Sequence, residues 1–379
     1  MATSMILGAG FSYNAGLPLV SGISEKFLRD PLEDQILFFG SGEWKWVDWA
    51  NHADMQNGRI QHLGLEIGYF ISYLIKEFQK SSGEEVINYE KFYQFVIDKR
   101  YTETEKFEQY LKDAELAFKK KYPISKAEFS ELPDYEIFSC IYHLIEDLLW
   151  VRLSYDEISK RYSTYINFFK AKHHQLNIFT LNHDLLLERI FDHEKISYCD
   201  GFSTNGKILL GSRNQKLPVF SNSFYGPINV LKLHGSIDLY KYNYIRETNR
   251  YKGYDYFKTL DYRDKHYATD VDDSGKVVQN FTPQIVPQFI TGASKMDIIN
   301  SNNMYRELYE RFSQELIKSE KLIIIGYSYQ DDHINSVIEK SLKNFSQVIN
   351  INPGAKFPFE HQNIHNLLPD EVPLELLIH

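Results

Sequence analysis

The chain has 379 residues, an apolar fraction of 43% and a formal net charge of −9 at pH 7, which allows roughly two domains or one elaborated domain. The acidic balance argues against direct nucleic-acid binding, because phosphate binding needs clustered Lys and Arg. No apolar run approaches the roughly 18 residues of a membrane span, and no basic segment followed by an apolar stretch begins the chain. The two cysteines fit a reducing compartment. Together these features predict a soluble cytoplasmic protein without a membrane partner.

A glycine-rich loop follows the first predicted strand. Met5-Ile-Leu is a minimal apolar strand, and Gly8-Ala-Gly-Phe-Ser12 continues it with glycines that let backbone N–H groups approach a phosphate closely. The loop departs from the dinucleotide fingerprint, because Tyr13 occupies the third glycine position and no clear acidic ribose ligand follows about twenty residues later. A tight turn is the alternative interpretation.

The next part of the chain, residues 31–175, is too long for a simple crossover and shows mostly helical periodicity. Apolar stripes at three- and four-residue spacing predict helices over residues 63–76, 107–121 and 138–150. We therefore predict a helical insertion subdomain over residues 31–175. It could cover the ligand cleft, serve packing and oligomerisation, or do both.

A second predicted strand ends in two polar residues. In Leu176-Asn-Ile-Phe-Thr-Leu-Asn-His-Asp184, Asn182 and Asp184 alternate out of the strand end toward the same side. A carboxamide and a carboxylate placed in this way could hold ribose hydroxyls or position a water. Equally, Asp184 could cap the helix that begins near Leu185, with Asn182 completing the turn.

A third predicted strand, residues 228–233, ends in His-Gly-Ser. The alternating β-branched pattern stops at this point, so His234 emerges beside a flexible glycine. Histidine at a strand end can act as a general base near neutral pH. A hydrogen-bonded structural histidine is the more common case for an isolated residue.

Two further predicted strands also end in glycine or polar residues. Lys321-Leu-Ile-Ile-Ile325 reads as a fully buried strand that leads into Gly326 and Ser328, with Asp331 or Asp332 as a helix cap. The last strand, residues 347–351, is followed by a turn before Pro353. We expect Asn350 to serve that turn, whereas Asn352 could contact an adenosine or only complete the turn.

These segments carry a family resemblance. Gly8–Ser12 with Ala15-Gly-Leu-Pro18, Asn182–Asp184, Leu233–Ser236 and Gly326–Ser328 resemble, in order, the motifs of the SIR2 (sirtuin-like) family. The resemblance implies an α/β fold with a Rossmann-like parallel sheet, formed by residues 1–30 and 176–379, and a large helical insertion. It also implies NAD as the ligand.

Two features of the sequence differ from the protein-deacylating sirtuins and indicate a different branch of the family. Protein-deacylating sirtuins have a zinc module with two Cys-x-x-Cys pairs, whereas only Cys140 and Cys199 occur here. The Pro-Asp-Phe-Arg continuation of the first loop is also absent, since Pro18 is followed by Leu19-Val-Ser21. The chain is therefore more similar to the bacterial antiphage-defence branch, which implies NAD hydrolysis, no zinc, homo-oligomers, and a partner such as a HerA-type ATPase. A protein deacylase and a non-catalytic NAD or ADP-ribose sensor are the alternatives.

The motifs and the resemblance together give a set of expected site residues. We expect Asn182 and His234 to be catalytic and no residue to ligate a metal. The expected cofactor-binding residues are Gly8, Ala9, Gly10, Phe11, Ser12, Asp184, Gly326, Ser328 and Asn352.

A tyrosine-rich segment, residues 240–282, stands where a sirtuin has its zinc module. Eight tyrosines between Tyr240 and Tyr267 are interleaved with Lys and Arg, while Asp255, Asp261 and Asp264 dilute the positive charge. We expect a solvent-facing hairpin or loop here. A protein interface is the second interpretation, and single-stranded nucleic acid is the third.

Overall fold

The chain folds into two units. The structure, a computed structural model, describes residues 2–29, 31–39, 43–47, 62–83, 88–171, 175–246, 251–271, 274–281, 287–290, 295–354 and 356–378. The first unit consists of Met1–Leu17, Trp150–Ile290 and Lys295–His379, and the second contains Pro18–Leu149. The second unit begins and ends earlier than the predicted insertion at 31–175. Its end lies earlier because residues 150–171 pack with the first unit.

The strands are short and are spread over the whole chain. In chain order they are β1 (Ala2–Leu7), β2 (Ile36–Phe38), β3 (Trp44–Trp46), β4 (Gln175–Thr180), β5 (Phe202–Ser203), β6 (Ile208–Leu210), β7 (Lys216–Leu217), β8 (Val219–Phe220), β9 (Ile228–Lys232), β10 (Leu239–Arg246), β11 (Tyr251–Lys258), β12 (Ala268–Val271), β13 (Val277–Phe281), β14 (Lys321–Ile325), β15 (Gln347–Ile351) and β16 (Ile364–Leu367).

The helices alternate with these strands in the first unit and dominate the second. In chain order they are α1 (Ala9–Tyr13), α2 (Val20–Phe27), α3 (His62–Ser82), α4 (Tyr89–Tyr101), α5 (Thr104–Lys121), α6 (Asp134–Leu148), α7 (Tyr155–Arg161), α8 (Ser163–Lys170), α9 (Leu186–Glu194), α10 (Tyr262–His266), α11 (Lys295–Ser301), α12 (Asn303–Lys318), α13 (Asp332–Ser341) and α14 (Leu374–Ile378).

The first unit is built on a six-stranded sheet with the order β16-β15-β14-β1-β4-β9, in which all neighbours are parallel. The pairing register brings the last residues of five strands into one row, which runs Ile351, Ile325, Leu7, Thr180, Lys232. The segments that follow these residues therefore leave the sheet at the same edge. The predicted Rossmann-like α/β fold is confirmed.

Both faces of this sheet are buried. Successive residues of a strand point to opposite faces, and in β14 Leu322 and Ile324 join one core while Ile323 and Ile325 join the other. Buried residues of α12 and α13 complete the first core, and those of α7, α8 and α9 complete the second. This two-sided burial explains why the strands read as continuous apolar runs.

Two small antiparallel sheets, β10-β11-β8-β5 and β13-β12-β6-β7, complete the first unit. Part of the tyrosine-rich segment forms the β10–β11 hairpin, as expected. The expected exposure to solvent holds for Tyr267, which is 70% exposed, but not for three tyrosines of the hairpin. Tyr240, Tyr242 and Tyr256 are almost completely buried. Tyr240 and Tyr242 lie two residues apart on one face of β10 and pack with Phe257, so these tyrosines serve a core.

The second unit contains α2 to α6 and the β2–β3 pair. Helices α3, α5 and α6 occupy the three segments predicted from periodicity. The β3 strand is tied to α6, because the backbone N–H of Trp46 donates to Asp147 at 3.0 Å and its indole N–H donates to the Leu144 carbonyl at 2.8 Å. Among the described residues, no helix combines the length and apolar character that a membrane crossing requires.

Candidate functional site

Two glycine-bearing loops touch at the carboxyl edge of the central sheet. The N–H of Gly8 donates to the Ile325 carbonyl and that of Gly10 to the Gly326 carbonyl, each at 3.0 Å. A Cβ at Gly10 would lie 2.6 Å from the Gly326 Cα, and a Cβ at Gly326 would collide with the backbone of Gly10 and Phe11. Gly326 also has a φ of +65°, which favours glycine. The two loops can approach this closely only without side chains.

The loop after β1 leads directly into α1. Gly8 is extended and precedes the first helical residue, Ala9, which is exposed. The side chain of Phe11 points into the core, where its ring meets those of Tyr162 and Tyr165 edge-on at centroid distances of 5.3 and 5.7 Å. Phe11 can therefore contribute only backbone groups to a ligand, whereas Ala9 lies at the surface.

Asn182 bridges its own strand end to the first loop. Its Nδ2 donates to the Gly8 carbonyl at 2.9 Å and to Ser12 Oγ at 3.0 Å. The Asn182 backbone N–H in turn donates to Thr180 Oγ1 at 3.1 Å. No described residue donates to Asn182 Oδ1, so the carbonyl end of this amide is the part that can accept a hydrogen bond from a ligand.

Asp184 starts the following helix. Its Oδ1 accepts the N–H of Leu186 at 2.9 Å, at the first residue of α9. Of the two interpretations of this carboxylate, the helix start is the one that the geometry shows. The Asp184 carbonyl also accepts a hydrogen bond from Lys232 Nζ, so this residue joins the β4 and β9 strand ends.

Lys232 and Glu188 form an ion pair in the interior, next to the strand end that leads to His234. Their Nζ and Oε1 atoms are 3.1 Å apart, and both side chains are at most one-tenth exposed. Burial raises the pKa of Glu188, although the Lys232 ammonium opposes that shift. The second carboxylate oxygen of Glu188 has no hydrogen-bond partner among the residues that the structure describes.

His234 follows β9 in a tightly held turn. Its carbonyl accepts the N–H of Ile290 at 2.7 Å, and the N–H of Ser236 donates to the Gln288 carbonyl at 3.1 Å. Gly235 between them has a φ of +83°, and a Cβ there would lie 2.8 Å from the Phe289 Cα. The turn therefore fixes the imidazole of His234, which is 3% exposed.

The imidazole of His234 faces that of His333. Their Nε2 atoms are 3.3 Å apart, and the ring centroids are 5.5 Å apart. Burial, then the positive charge of Lys295, lowers the pKa of His234 well below 6.5. Burial also lowers the pKa of His333, against the effect of Asp331. Both rings are therefore neutral near pH 7, as a general base at this position requires.

A third histidine, His183, lies beside this pair. Burial, with Lys295 and Lys232 as further causes, lowers its pKa to about 3. Its ring is 4.9 Å from that of Phe289 and 6.4 Å from that of His234, measured between centroids. In the described part of the chain, no group forms a hydrogen bond with its Nδ1. His183 is thus a neutral, buried side chain next to His234.

Asp331 lies at the entrance to α13 but does not cap it through its side chain. Its Oδ1 accepts from Lys295 Nζ at 2.8 Å instead. Asp331 therefore occupies the cap position of α13, as one of the two expected alternatives, but its carboxylate pairs with the ammonium of Lys295. His234, Asp331 and His333 each place one possible metal-ligand atom within 4.8 Å of the other two.

The outer end of the row carries Asn350 and Asn352. Asn350 is buried, accepts from Tyr329 Oη at 2.7 Å and donates to Asn366 Oδ1 at 2.8 Å. Asn352 donates to Asn350 Oδ1 at 2.6 Å and remains partly exposed. Asn350 therefore serves the fold, as expected, and Asn352 keeps an accessible position.

The expected site residues all follow strands of the one row, but they are used differently. Asn182 meets Gly8 and Ser12 directly, His234 lies in the neighbouring turn, and Asp184 is engaged in the helix start. Ser328 is exposed in the turn after β14. The arrangement offers a backbone-lined loop, one amide oxygen and one neutral imidazole along a single edge.

The sequence analysis missed several residues around His234. His333 could have been noticed, because Asp331-Asp-His333 follows a predicted strand end just as Asn182–Asp184 does. Lys295 could not be recognised as a site residue, because no sequence motif marks the start of the helix in which it lies. The Lys232–Glu188 pair is visible only from the packing of α9 against β9.

The comparisons with known proteins give one family. A family model described as a SIR2-like domain matches residues 176–363, which include β4 through β15 and the segments that carry Asn182, His234 and Gly326. Domains of this class use NAD. The search of curated proteins gives no match.

Proposed function

We propose that this protein hydrolyses NAD to nicotinamide and ADP-ribose, since a SIR2-like family model matches residues 176–363. The observation that carries the proposal is the position of Asn182 and His234. Both residues follow register-matched ends of neighbouring parallel strands, and Asn182 bonds directly to the Gly8–Ser12 loop. Open parallel sheets bind nucleotides at this edge.

The reaction requires positioning more than acid assistance. The bond between nicotinamide and ribose breaks through an oxocarbenium-like transition state, as in other glycoside hydrolysis, and nicotinamide leaves as a neutral base. A water then supplies the hydroxyl of ADP-ribose and releases one proton. Fixing the ribose and orienting that water lower the barrier by removing orientational freedom.

The residues fit these tasks. The Gly8–Ser12 loop would hold the pyrophosphate at the start of α1, where Ala9 is exposed and the glycines let a ligand approach the backbone closely. The N–H groups of Gly8 and Gly10 themselves bind the loop after β14. Asn182 Oδ1 would accept from a ribose hydroxyl or from the attacking water. Neutral His234 would take the proton from one of these groups. Asp184 supports this arrangement through the start of α9, and Asn352 would lie toward the adenosine.

We further propose a role as an effector of bacterial antiphage defence that depletes NAD, in the cytoplasm and as a homo-oligomer. Two sequence features support this proposal through their resemblance to that branch: the Gly-Tyr-Ser-x-x-Asp-x-His-Ile-Asn pattern from Gly326 to Asn335 and the lack of the four zinc cysteines. An unregulated NAD hydrolase would kill its host. A regulating partner, such as a HerA-type ATPase, follows from this argument by analogy.

The test is NAD consumption by the purified protein, alone and with the product of a neighbouring gene. Chromatography should show nicotinamide and ADP-ribose for the wild type and neither product for Asn182→Ala or His234→Ala. His361→Ala is the matched control, since His361 is at most partly buried and bonds the Phe345 carbonyl at the far side of the sheet.

The results separate the alternatives. Consumption of NAD only together with an acyl-lysine peptide would show a deacylase instead. Binding of NAD without turnover under all these conditions would show a sensor and would overturn the hydrolase proposal. Thermal unfolding of each variant verifies that a loss of turnover is not a loss of the fold.

A further inference from the structure

We propose that His234, His333 and Asp331 form a binding site for a divalent transition metal ion of the Zn²⁺ type. The three side chains come from two strand ends: His234 follows β9, while Asp331 and His333 lie at the start of α13. This donor set differs from the four-cysteine zinc module that the chain lacks. It was not anticipated from the sequence.

The spacing of the two imidazoles suits such an ion. Their Nε2 atoms are 3.3 Å apart. Zinc–nitrogen bonds of about 2.0–2.1 Å in tetrahedral geometry separate two ligand nitrogens by about 3.3 Å. An ion could therefore bind both rings with little movement of either. A carboxylate oxygen of Asp331 lies within 4.8 Å of a ring nitrogen of each histidine, so a side-chain rotation would bring the third ligand into place.

The ligands are held by backbone contacts that do not use their donor atoms. The Tyr327 hydroxyl donates to the Asp331 carbonyl at 3.1 Å, and the Tyr309 hydroxyl donates to the His333 carbonyl at 2.8 Å. The His234 carbonyl accepts from Ile290 at 2.7 Å. Such anchoring lowers the entropic cost of assembling a metal site.

The chemistry of the donors selects among ions. Two imidazoles and one carboxylate suit Zn²⁺, Co²⁺ or Ni²⁺, whereas Mg²⁺ requires six oxygen ligands in octahedral geometry. Three protein ligands leave a fourth position for water. We therefore expect a tetrahedral site that does not retain Mg²⁺.

Lys295 opposes the ion. Its ammonium pairs with Asp331 Oδ1 at 2.8 Å, so it competes for the carboxylate and repels a second cation. This competition predicts that Lys295→Met increases metal affinity, while loss of a ligand decreases it. The opposite signs of these effects distinguish a defined site from non-specific binding to surface histidines.

The ion would also affect the proposed reaction. His234 cannot accept a proton through Nε2 while that atom ligates a metal, so the metal-loaded protein should be inactive as an NAD hydrolase. This regulatory part rests on the proposed function, whereas the metal binding itself does not. Zn²⁺ would then act as a reversible inhibitor.

The experiment is calorimetric titration of chelator-treated full-length protein with Zn²⁺, together with Co²⁺ absorption spectra. We expect one ion per chain and the intense visible bands of tetrahedral Co²⁺. His333→Gln and Asp331→Asn should each weaken binding at least about tenfold, and Lys295→Met should strengthen it several-fold. Mg²⁺ and the His361→Ala variant are the controls.

Several outcomes would overturn the proposal. Unchanged Zn²⁺ affinity in both His333→Gln and Asp331→Asn, with each variant folded by circular dichroism, would exclude these ligands, as would octahedral Co²⁺ spectra. Zn²⁺ that binds as expected but leaves NAD consumption unchanged would exclude the inhibitory role alone. If the wild type consumes no NAD at all, the proposed function fails, while the titration still decides the metal site.

Discussion

Asn182 has both a structural and a proposed chemical role. Its amide nitrogen ties the β4 end to the loop of Gly8 and Ser12, which leaves Oδ1 for a ligand. The sequence predicted an amide that leaves the end of a strand, because alternation places it there. It could not predict the two hydrogen bonds, which depend on the pairing of β1 with β4 across nearly half of the chain.

Removing this amide should therefore affect stability as well as turnover. Asn182→Ala loses two hydrogen bonds, each contributing about 1 kcal/mol, so the free energy of unfolding should fall by about 2 kcal/mol. Ser12→Ala, which removes one of the two acceptors, should cost less. Urea denaturation measures both. An unchanged midpoint for Asn182→Ala would show that these bonds do not stabilise the fold.

A substitution at Gly326 tests the contact between the loop after β14 and the Gly8–Ser12 loop. Gly326→Ala must adopt a left-handed conformation and place its Cβ against the backbone of Gly10 and Phe11, which should cost at least about 2 kcal/mol. Gly354→Ala is the matched control, because a Cβ there meets nothing within 4 Å, and it should change stability by no more than about 0.5 kcal/mol. Equal melting temperatures of the two variants would contradict the close approach.

At the scale of elements, helix α9 and strand β9 are joined through buried charge. Lys232 follows the alternating pattern of β9 and was indistinguishable from a solvent-facing lysine in the sequence, while Glu188 reads as an ordinary helix residue. Only the packing of the helix against the strand reveals their pairing at 3.1 Å. The longer helices and the core strands were predictable, because their periodicity is local.

Breaking this pair should be costly. Glu188→Ala leaves the ammonium of Lys232 buried without its carboxylate, and removal of one member of such a pair typically destabilises by about 3–5 kcal/mol. Glu77→Ala removes a carboxylate from the exposed ammonium of Lys80 and should change stability by no more than about 0.5 kcal/mol. Thermal unfolding compares the two variants. A similar small loss in both would mean that Lys232 is solvated after the substitution.

On the scale of the whole molecule, the fold class followed from the sequence, and the surroundings of the site followed only in part. Five strand ends could be recognised separately, since each apolar run stops at a glycine or a polar residue. Their order in the sheet was not accessible to local patterns, nor was the approach of His333 to His234. Apart from the β10–β11 hairpin, the strands of the two small antiparallel sheets were missed, because most of them have only two to four residues and carry little periodicity.

Binding of NAD should stabilise the folded first unit as a whole. A ligand at 100 times its dissociation constant adds about 2.7 kcal/mol to the free energy of unfolding, so the melting temperature should rise by a few degrees. The His234→Ala variant avoids turnover during the scan, and nicotinamide alone serves as the control ligand. If neither NAD nor ADP-ribose raises the melting temperature, nucleotide binding at this edge is contradicted.

The position of β1 in the middle of the sheet has a consequence for the timing of activity. Residues 2–7 pair on one side with residues 175–180 and on the other with residues 321–325. A ribosome that has not yet reached residue 175 has therefore made the Gly8–Ser12 loop but neither of the strands that frame it. A growing chain cannot complete the sheet around this loop until residues 321–325 have emerged, so the proposed hydrolase would stay inactive during most of its own synthesis.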